Sequence, residues 1–244
     1  MKLLGLDTAT AATSVAFLDT GTGRELARRD DPAGGERPRH TTRLLPLIAE
    51  LLEAAAEGWG SLDCIAVGLG PGTFTGLRIG IATARALGQA RKLELRGIST
   101  LRALATGAVP ARTSRPADVV LAALDARRGE LFAAAWGLPD ARSEALGEQA
   151  LAPVAVDPRT LASRLPGLGA SSLAIGPGAV EFRSYLEHAG AFVPGDDSVL
   201  HSVNAINHCR LAAAGEGVRA LEEIKPQYLR LPDAELARRG RARQ

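Results

Sequence analysis

Residues 67–90 read VGLGPGTFTGLRIGIATARALGQA, which joins the end of an apolar run to a glycine-proline turn and a helix-like segment. The apolar run, residues 64–69, contains Ile65 and Val67 and is typical of a buried strand. The turn follows at residues 70–72, because glycine permits positive φ and proline fixes φ and lacks a donor. A strand, a tight turn and a helix in this order predict an α/β unit.

The helix predicted over residues 76–90 has one face almost without side chains. Gly76, Gly80, Ala84 and Gly88 recur every four residues, and each glycine costs a helix interior about 1 kcal/mol relative to alanine. This stripe of small residues predicts that another helix approaches very closely.

Two interpretations of the turn before this helix stay open. A glycine-rich loop that opens a helix can hold a phosphate on free backbone N–H groups. The simpler interpretation is a tight turn followed by a closely packed helix. The sequence has neither the Lys-Ser/Thr pair of a Walker loop nor a GxGxxG motif at this place, so the pattern favours the tight turn.

Five stretches, in order along the chain, resemble the TsaB family, also called YeaZ. They read LGLDTATAATSVAF at 4–17, HTTRLLPLI at 40–48, GPGTFTGLRIG at 70–80, LDARRGELFAAAW at 124–136 and, more weakly, KPQYLR at 225–230. The resemblance implies an α/β fold of the ASKHA type (actin, sugar kinases and Hsp70), with two ribonuclease H-like lobes whose mixed sheets are flanked by helices. It also implies a role in the threonylcarbamoyladenosine modification of tRNA, where TsaB-like proteins pair with a catalytic paralogue, TsaD, and act with a small ATPase, TsaE.

Composition and charge restrict the class of protein. The chain has 244 residues, 46% of them hydrophobic and 23% charged, which suits one large or two medium domains. No apolar run approaches the ~20 residues of a membrane span, and Asp7 comes too early for a signal-peptide core. Cys64 and Cys209 make no metal spacing, and a buried thiol at Cys64 predicts a reducing, cytoplasmic environment. The net charge of +2 is too small to indicate nucleic-acid binding by itself.

Loop signals divide the chain into two predicted lobes and a tail. Residues 107–115 are rich in turn-forming and polar residues, so we place the boundary there, with lobes over 1–106 and 107–231. The second lobe opens with the strand–Asp–turn–strand pattern of the first, which predicts duplicated halves. Residues 137–155 show no period and are predicted to be irregular. The arginine-rich tail, residues 232–244, is expected to be disordered.

The resemblance also implies nucleotide-facing positions at strand ends and glycine-rich loops. The residues that stand there are Asp7, Thr8, Thr10, Asp125, Gly176 and Gly178. A carboxylate at a strand end can orient Mg²⁺, and a turn hydroxyl can contact phosphate. The alternative is a local turn in which the side chain binds its own backbone. We interpret the set as a vestigial phosphate site, in which bound ATP with Mg²⁺ stays open.

A helix predicted over residues 41–57 places Leu44, Ile48 and Leu51 on one apolar face, which Leu45 widens. In TsaB-like proteins this helix and the glycine-striped helix form the contact surface for TsaD. The positions implied to contact the partner are Thr42, Leu45, Ile48, Gly76, Arg78 and Gly80. The alternatives are that the apolar positions are ordinary core, or that the isolated protein forms a homodimer through this surface.

The region after the strand predicted at residues 93–99 bears on catalysis. The catalytic paralogue carries His-x-x-x-His there, with both imidazoles on one helical face binding a metal. The corresponding positions are Thr100 and Leu104, and leucine cannot ligate a metal. The resemblance therefore implies that this metal centre and its carbamoyl-transfer chemistry are absent from the chain. We expect no cofactor, with ATP and Mg²⁺ at the vestigial site left open.

Three classes of function follow. The leading hypothesis is a non-catalytic partner that holds TsaD in an active arrangement, with tRNA reached through the complex and contacted by the basic tail, Arg127 and Arg128. The second is a stand-alone ATP-using enzyme, favoured by Asp7 and Asp125. A peptidase finds no support, because no His-Glu-x-x-His motif occurs.

Overall fold

The computed structural model describes residues 1–33, 36–109, 117–138 and 145–230, which form two five-stranded sheets flanked by helices. The first half contains β1 (Lys2–Asp7), β2 (Thr13–Asp19), β3 (Arg24–Asp30), α1 (His40–Ala55), β4 (Cys64–Gly70), α2 (Phe74–Arg91), β5 (Glu94–Ser99) and α3 (Thr100–Thr106). The second half contains β6 (Val119–Arg127), β7 (Glu130–Gly137), β8 (Gln149–Val156), α4 (Pro158–Arg164), β9 (Ser172–Ile175), α5 (Pro177–Glu181), α6 (Arg183–His188), β10 (Ala191–Phe192) and α7 (Ala205–Ala213).

The two sheets have the same topology. In the first, with order β3-β2-β1-β4-β5, β1 pairs antiparallel with β2 and parallel with β4. In the second, with order β10-β9-β6-β7-β8, β6 pairs antiparallel with β7 and parallel with β9. Antiparallel neighbours are joined by short turns, whereas parallel neighbours need crossover segments, here helical. The predicted α/β fold of two lobes with mixed sheets is confirmed.

The glycine stripe of α2 packs against a turn and a strand rather than against another helix. A Cβ at Gly76 would overlap the Thr8 carbonyl oxygen, and one at Gly80 would overlap the Thr8 hydroxyl. Farther along, a Cβ at Gly88 would lie 2.7 Å from Leu95 Cδ2. The predicted close approach is therefore real, but its partners are the β1–β2 turn and β5.

The end of the described chain returns to the first lobe. Helix α7 packs on β1 and β2. Val218 forms an isolated antiparallel β-bridge with Gly97 of β5. The buried Ile224 joins the core under α1 and α2. The division predicted at residue 106 stays a prediction, but this part of the predicted second lobe packs against the first sheet. The predicted tail, residues 232–244, lies outside the described residues.

Strand β8 corrects the prediction that residues 137–155 are irregular. It is an edge strand that pairs antiparallel with β7, and its register shifts at two places. An edge strand tolerates a proline such as Pro153, because one side of its backbone needs no partner. Because of these register shifts and the proline, the segment lacks the regular alternation of apolar and polar residues by which a strand is recognised in a sequence.

In the four described segments no helix is both long and apolar enough to cross a bilayer.

Candidate functional site

Asp7, at the end of β1, lies in a buried polar cluster between α3 and α7. Its Oδ2 accepts a hydrogen bond from Thr100 Oγ1 at 3.0 Å and lies 3.0 Å from His208 Nε2. Its Oδ1 accepts from the backbone N–H of Ala9 at 2.9 Å. Gly68 on β4 makes room for the cluster, because a Cβ there would overlap Asp7 Oδ2. The carboxylate is therefore already surrounded by partners from its own chain.

The contacts around Asp7 favour its charged form. Burial alone raises the pKa of a carboxyl group, but the imidazole of His208 and the donors from Ala9 and Thr100 outweigh it, so the pKa of Asp7 lies below its usual value. A buried carboxylate with an adjacent imidazole and two hydrogen bonds satisfies the usual requirement for burying a charge.

The neighbouring threonines differ in their surroundings. The Thr8 hydroxyl donates to the Gly76 carbonyl at 2.7 Å and is buried against α2. Thr10, at the tip of the same turn, is half-buried. The hydroxyl of Thr8 therefore ties the turn to α2, and of this part of the predicted nucleotide set Thr10 is the residue nearest to solvent.

Asp125 occupies the equivalent place in the second sheet but has a local role. Its Oδ1 accepts from the Arg127 backbone N–H at 2.6 Å, and its Oδ2 lies 3.2 Å from a guanidinium nitrogen of Arg127. The turn that follows has positive φ at Arg127, Arg128 and Gly129. The side chain thus stabilises the β6–β7 turn, which is the alternative stated for these residues from sequence.

The predicted glycine-rich loop packs against β6. A Cβ at Gly176, where φ is 101°, would overlap the Ala123 carbonyl oxygen, and one at Gly178 would lie 2.7 Å from the Leu124 carbonyl carbon. The Gly176 N–H donates to His201 Nδ1 at 3.1 Å. These contacts account for both glycines by packing, and their predicted part in nucleotide binding stays a prediction.

The positions that correspond to the metal-binding histidines lie at the start of α3. Thr100 is buried and bonded to Asp7, and Leu104 is buried in the core of the second lobe. Among the residues that the structure describes, no group of three or more His, Cys, Asp and Glu side chains could hold a metal ion.

The predicted partner surface on α1 and α2 is corrected in one respect. Ile48, Gly76 and Gly80 are buried within the lobe, so their side chains and Cα atoms are not available to another protein. Thr42 and Arg78 are exposed, and Leu45, expected to widen the buried face, is 54% exposed. Of the predicted contact residues, only the exposed Thr42, Leu45 and Arg78 are available to another chain, and their role in binding stays a prediction.

Sequence reasoning missed an exposed aromatic cluster at the start of α2. Phe74 stacks on Tyr228 with ring centroids 5.0 Å apart, and the guanidinium of Arg78 lies 3.7 Å from the Phe74 centroid. Arg78 Nε also donates to the Tyr228 hydroxyl at 3.1 Å. Phe74 and Tyr228 both belong to stretches quoted for the family resemblance, which was the available signal. His208, in contrast, carried no signal that linked it to Asp7.

Comparisons with known proteins agree with this architecture. A family model described as TsaD, tRNA N6-adenosine threonylcarbamoyltransferase, matches residues 32–234. The tRNA threonylcarbamoyladenosine biosynthesis protein TsaB of Escherichia coli K12 is 32% identical over 235 residues, covering 94% of this chain and 95% of that protein. The protein of the same description from Haemophilus influenzae is 39% identical over 135 residues, covering 54% of this chain and 52% of that one.

A solved structure of a YeaZ protein is also similar to this chain. YeaZ from Pseudomonas aeruginosa superposes with a TM-score of 0.73 at 30% sequence identity, covering 93% of this chain and 99% of the other. The Escherichia coli protein and this structure are similar to the chain along nearly its whole length, whereas the Haemophilus influenzae protein matches about half of it.

Proposed function

The chain belongs to the TsaB (YeaZ) family, and from that membership we propose that it is a non-catalytic subunit in tRNA threonylcarbamoyladenosine biosynthesis. It binds a TsaD-like tRNA N6-adenosine threonylcarbamoyltransferase through the outward face of α1 and α2 and holds it in an active arrangement. The relatives named above support the pathway, since they are described by it.

The observation that carries the proposal is the outward face of this helix pair. On α1 it presents Thr42, Leu45, Pro46 and Ala49, which are exposed and uncharged. An exposed leucine is common by itself, but an exposed, weakly charged helical face is the kind of surface that other proteins cover. Arg78 stands at its α2 side, and arginine is enriched at interfaces.

The surroundings of Asp7 support the non-catalytic part of the proposal. The carboxylate that a nucleotide-binding relative would use for Mg²⁺ is bonded to Thr100 and lies beside His208. The position of a metal-ligating histidine is Leu104. The transfer chemistry is therefore assigned to the TsaD-like partner, and we propose no resident cofactor for this chain.

The remaining partners follow from the same complex. A TsaE-like ATPase acts with the pair, and tRNA is bound by the assembly rather than by this chain alone. When the TsaD-like partner is absent, the same outward face supports a homodimer. The homodimer and the heterodimer would use the same surface and would therefore compete. If the isolated protein is a monomer, only the homodimer is refuted, and the heterodimer proposal stays intact.

The proposal is tested by mixing the purified protein with the TsaD-like protein of the same organism and measuring mass by size exclusion with light scattering. We expect a heterodimer, and we expect Leu45→Arg to abolish it by placing a charge at the centre of the contact. Val199→Arg is the matched control, since Val199 is 80% exposed and lies far along the chain in the other lobe.

Two results would overturn the proposal. One is the absence of a heterodimer with unaltered protein, and the other is equal binding by the two arginine variants. Reconstituted modification of tRNA gives a second reading, because Leu45→Arg should lower it and Val199→Arg should not. Carbamoyl transfer by this chain without TsaD would refute the non-catalytic role.

A stand-alone ATP-using enzyme is the second candidate, favoured by Asp7 and Asp125 at equivalent ends of β1 and β6. It requires MgATP to displace the contacts that each carboxylate already makes. Calorimetric titration with MgATP decides between the candidates: saturable heat that Asp125→Asn abolishes supports the enzyme, and the absence of heat from the unaltered protein removes this candidate.

A further inference from the structure

A cavity lies where the two lobes meet, on the α7 side of the first sheet. Its wall is formed by β3, α3, α7 and the segment just before α7, and its volume is about 530 Å³. Small-molecule sites typically have volumes of about 300 to 1,000 Å³ and are frequent at domain junctions. The cavity therefore has room for a small molecule.

Much of the wall is apolar and comes from both lobes. Leu104 and Leu200 belong to the core of the second lobe, and Ile206 belongs to the core between α7 and the first sheet. Ala27 adds a small side chain from the edge strand β3. Because burial of apolar surface favours binding, a molecule that fills this space needs an apolar body.

The charges on the wall are already paired with each other. Of the described residues that line the cavity, Glu25 and Arg210 are charged, and Arg210 donates from Nε and Nη2 to the two Glu25 carboxylate oxygens at 2.8 and 2.6 Å. A two-point pair of this kind satisfies both groups. A charged ligand would lose hydration on entering without gaining a free counter-charge, so the cavity favours an uncharged one.

A buried amide on the wall has one end without a partner. Asn207 is 4% exposed, and its Oδ1 accepts from Arg210 Nη1 at 3.2 Å. Because a guanidinium can only donate, this contact fixes which end of the amide is the oxygen and leaves Nδ2 as the other end. In the described part of the chain, no group accepts a hydrogen bond from Nδ2.

This nitrogen is open to the cavity. Among the described residues, the sealed side-chain atoms that lack a partner belong to His40 and His208, so Asn207 Nδ2, which also lacks one, is not closed off. Gly107, which lines the same cavity, leaves space beside it, since a Cβ there would lie 3.1 Å from Nδ2. Asn207 therefore offers a hydrogen-bond donor to a molecule in the cavity.

We propose that this cavity binds a small uncharged molecule that carries a carbonyl or amide oxygen on an apolar body. The oxygen accepts from Asn207 Nδ2, and the body lies against the apolar wall. Arg210 is a positioning residue, because it holds Asn207 Oδ1 and so leaves Nδ2 for the ligand. Helices α1 and α2 pack on the other face of the first sheet, so this proposal and the partner proposal can fail independently.

The test uses N-cyclohexylacetamide, which joins an amide oxygen to an apolar ring, titrated into methyl- and ¹⁵N-labelled protein and followed by NMR. We expect saturable shifts at the methyl groups of Leu104, Leu200 and Ile206 and at the Asn207 side-chain amide, in the millimolar range for so small a molecule. Acetamide lacks the ring and cyclohexylammonium lacks the oxygen, so neither should saturate at the same concentrations. Equal responses to the three compounds, or no saturation by N-cyclohexylacetamide, would overturn the proposal.

Asn207→Asp tests the donor with little change in shape. The new side chain can still accept from Arg210, but an oxygen replaces Nδ2. We expect N-cyclohexylacetamide to bind about tenfold more weakly, the loss of one hydrogen bond. Cyclohexylammonium should bind more tightly, because a carboxylate oxygen now faces the cavity. A variant that binds both compounds as the unaltered protein does would refute the role of Nδ2.

A second variant fills the cavity without touching Asn207, and it keeps the test valid if Asn207→Asp does not fold. Ala27 is exposed on β3, where a strand accepts an aromatic residue, so Ala27→Trp should fold and block N-cyclohexylacetamide. Ala150→Trp is the matched control, since Ala150 is exposed on β8, the edge strand of the other sheet. Equal binding by the two tryptophan variants would place the probe elsewhere and overturn the assignment.

Discussion

Asp7 Oδ2 and His208 Nε2 lie 3.0 Å apart, with both side chains almost fully buried, although 200 residues separate them in the chain. The contact joins the first strand to the last described helix and places α7 across the end of β1. It also uses the carboxylate that a nucleotide-binding relative would leave open to a metal. The pair of Asp7 and His208 thus helps to hold α7 against the first sheet. It also supports the proposal that this chain has lost nucleotide chemistry.

Replacing Asp7 with Asn should strongly destabilise the protein. Asparagine cannot replace all the contacts that the carboxylate makes to Thr100, the Ala9 N–H and His208, and a buried polar group left without its partner costs about 1 to 3 kcal/mol. Chemical denaturation at neutral pH, followed by circular dichroism, measures the change. Asp125→Asn is the comparison, because Asp125 is half-buried in a turn, and we expect a clearly smaller loss there.

The same variant gives the pH dependence of the Asp7 contribution. The pKa of Asp7 is lower in the folded protein than in the unfolded chain, so the carboxylate contributes its full stability above the unfolded value of about 3.9. That contribution is lost as the pH falls through the folded pKa. The free energies of unfolding of the original protein and Asp7→Asn should therefore converge on acidification. A difference that stays constant below pH 4 would contradict the assignment.

Gly80→Ala should destabilise the protein even though alanine is the better helix former. Its Cβ would overlap the Thr8 hydroxyl, which is held by the Gly76 carbonyl, and overpacking of this kind costs about 1 to 3 kcal/mol. In a Thr8→Ala background the obstacle is gone, and the same change should be neutral or stabilising by up to about 1 kcal/mol. A double-mutant cycle measured by urea denaturation gives the coupling.

Gly76→Ala is the matched control for that cycle. Its Cβ would meet the Thr8 backbone carbonyl rather than the side chain, so Thr8→Ala cannot relieve it. Rescue of both glycine variants by Thr8→Ala, or of neither, would show that the Thr8 side chain is not what sets the Gly80 requirement.

Much of the fold was available from the sequence because its signals are local. The strand, turn and helix at residues 64–91 carry an apolar run, a glycine-proline break and a helical period within one short stretch. The repeated Asp7 and Asp125 patterns, each strand–Asp–turn–strand, showed the duplication for the same reason.

The misplaced features depend on contacts between distant parts of the chain. Nothing near His208 indicates that it meets Asp7, and nothing near Ile224 indicates that it belongs to the first core. The partners of the glycine stripe were misidentified because small residues show that something comes close but not what it is. Leu45 was assigned both to the apolar face of α1 and to the partner surface, because a helical period fixes a face only to within a residue or two.

Neither cysteine should react in the folded protein. Burial raises the pKa of the Cys64 thiol to about 12 and that of Cys209 further, so both stay protonated near pH 8 and the thiolate nucleophile is scarce. Mass spectrometry after iodoacetamide treatment should show little labelling under native conditions and two labels in guanidinium chloride. Rapid native labelling of either residue would contradict the burial.

The segment after α7 should be essential to the first lobe, and Ile224→Ala tests this directly. Ile224 is fully buried in the core under α1 and α2, so truncation should cost about 2 to 5 kcal/mol through lost burial and the cavity left behind. Leu221→Ala is the matched control, since Leu221 lies on the same segment but is 52% exposed, and its loss should be well under that of Ile224. Denaturant unfolding gives both values. Because Arg85 donates to the Leu221 and Ile224 carbonyls, the backbone stays anchored in both variants and the comparison isolates the side chain. Equal effects of the two truncations would mean that the segment only covers the surface, and the lobe would then be complete without it.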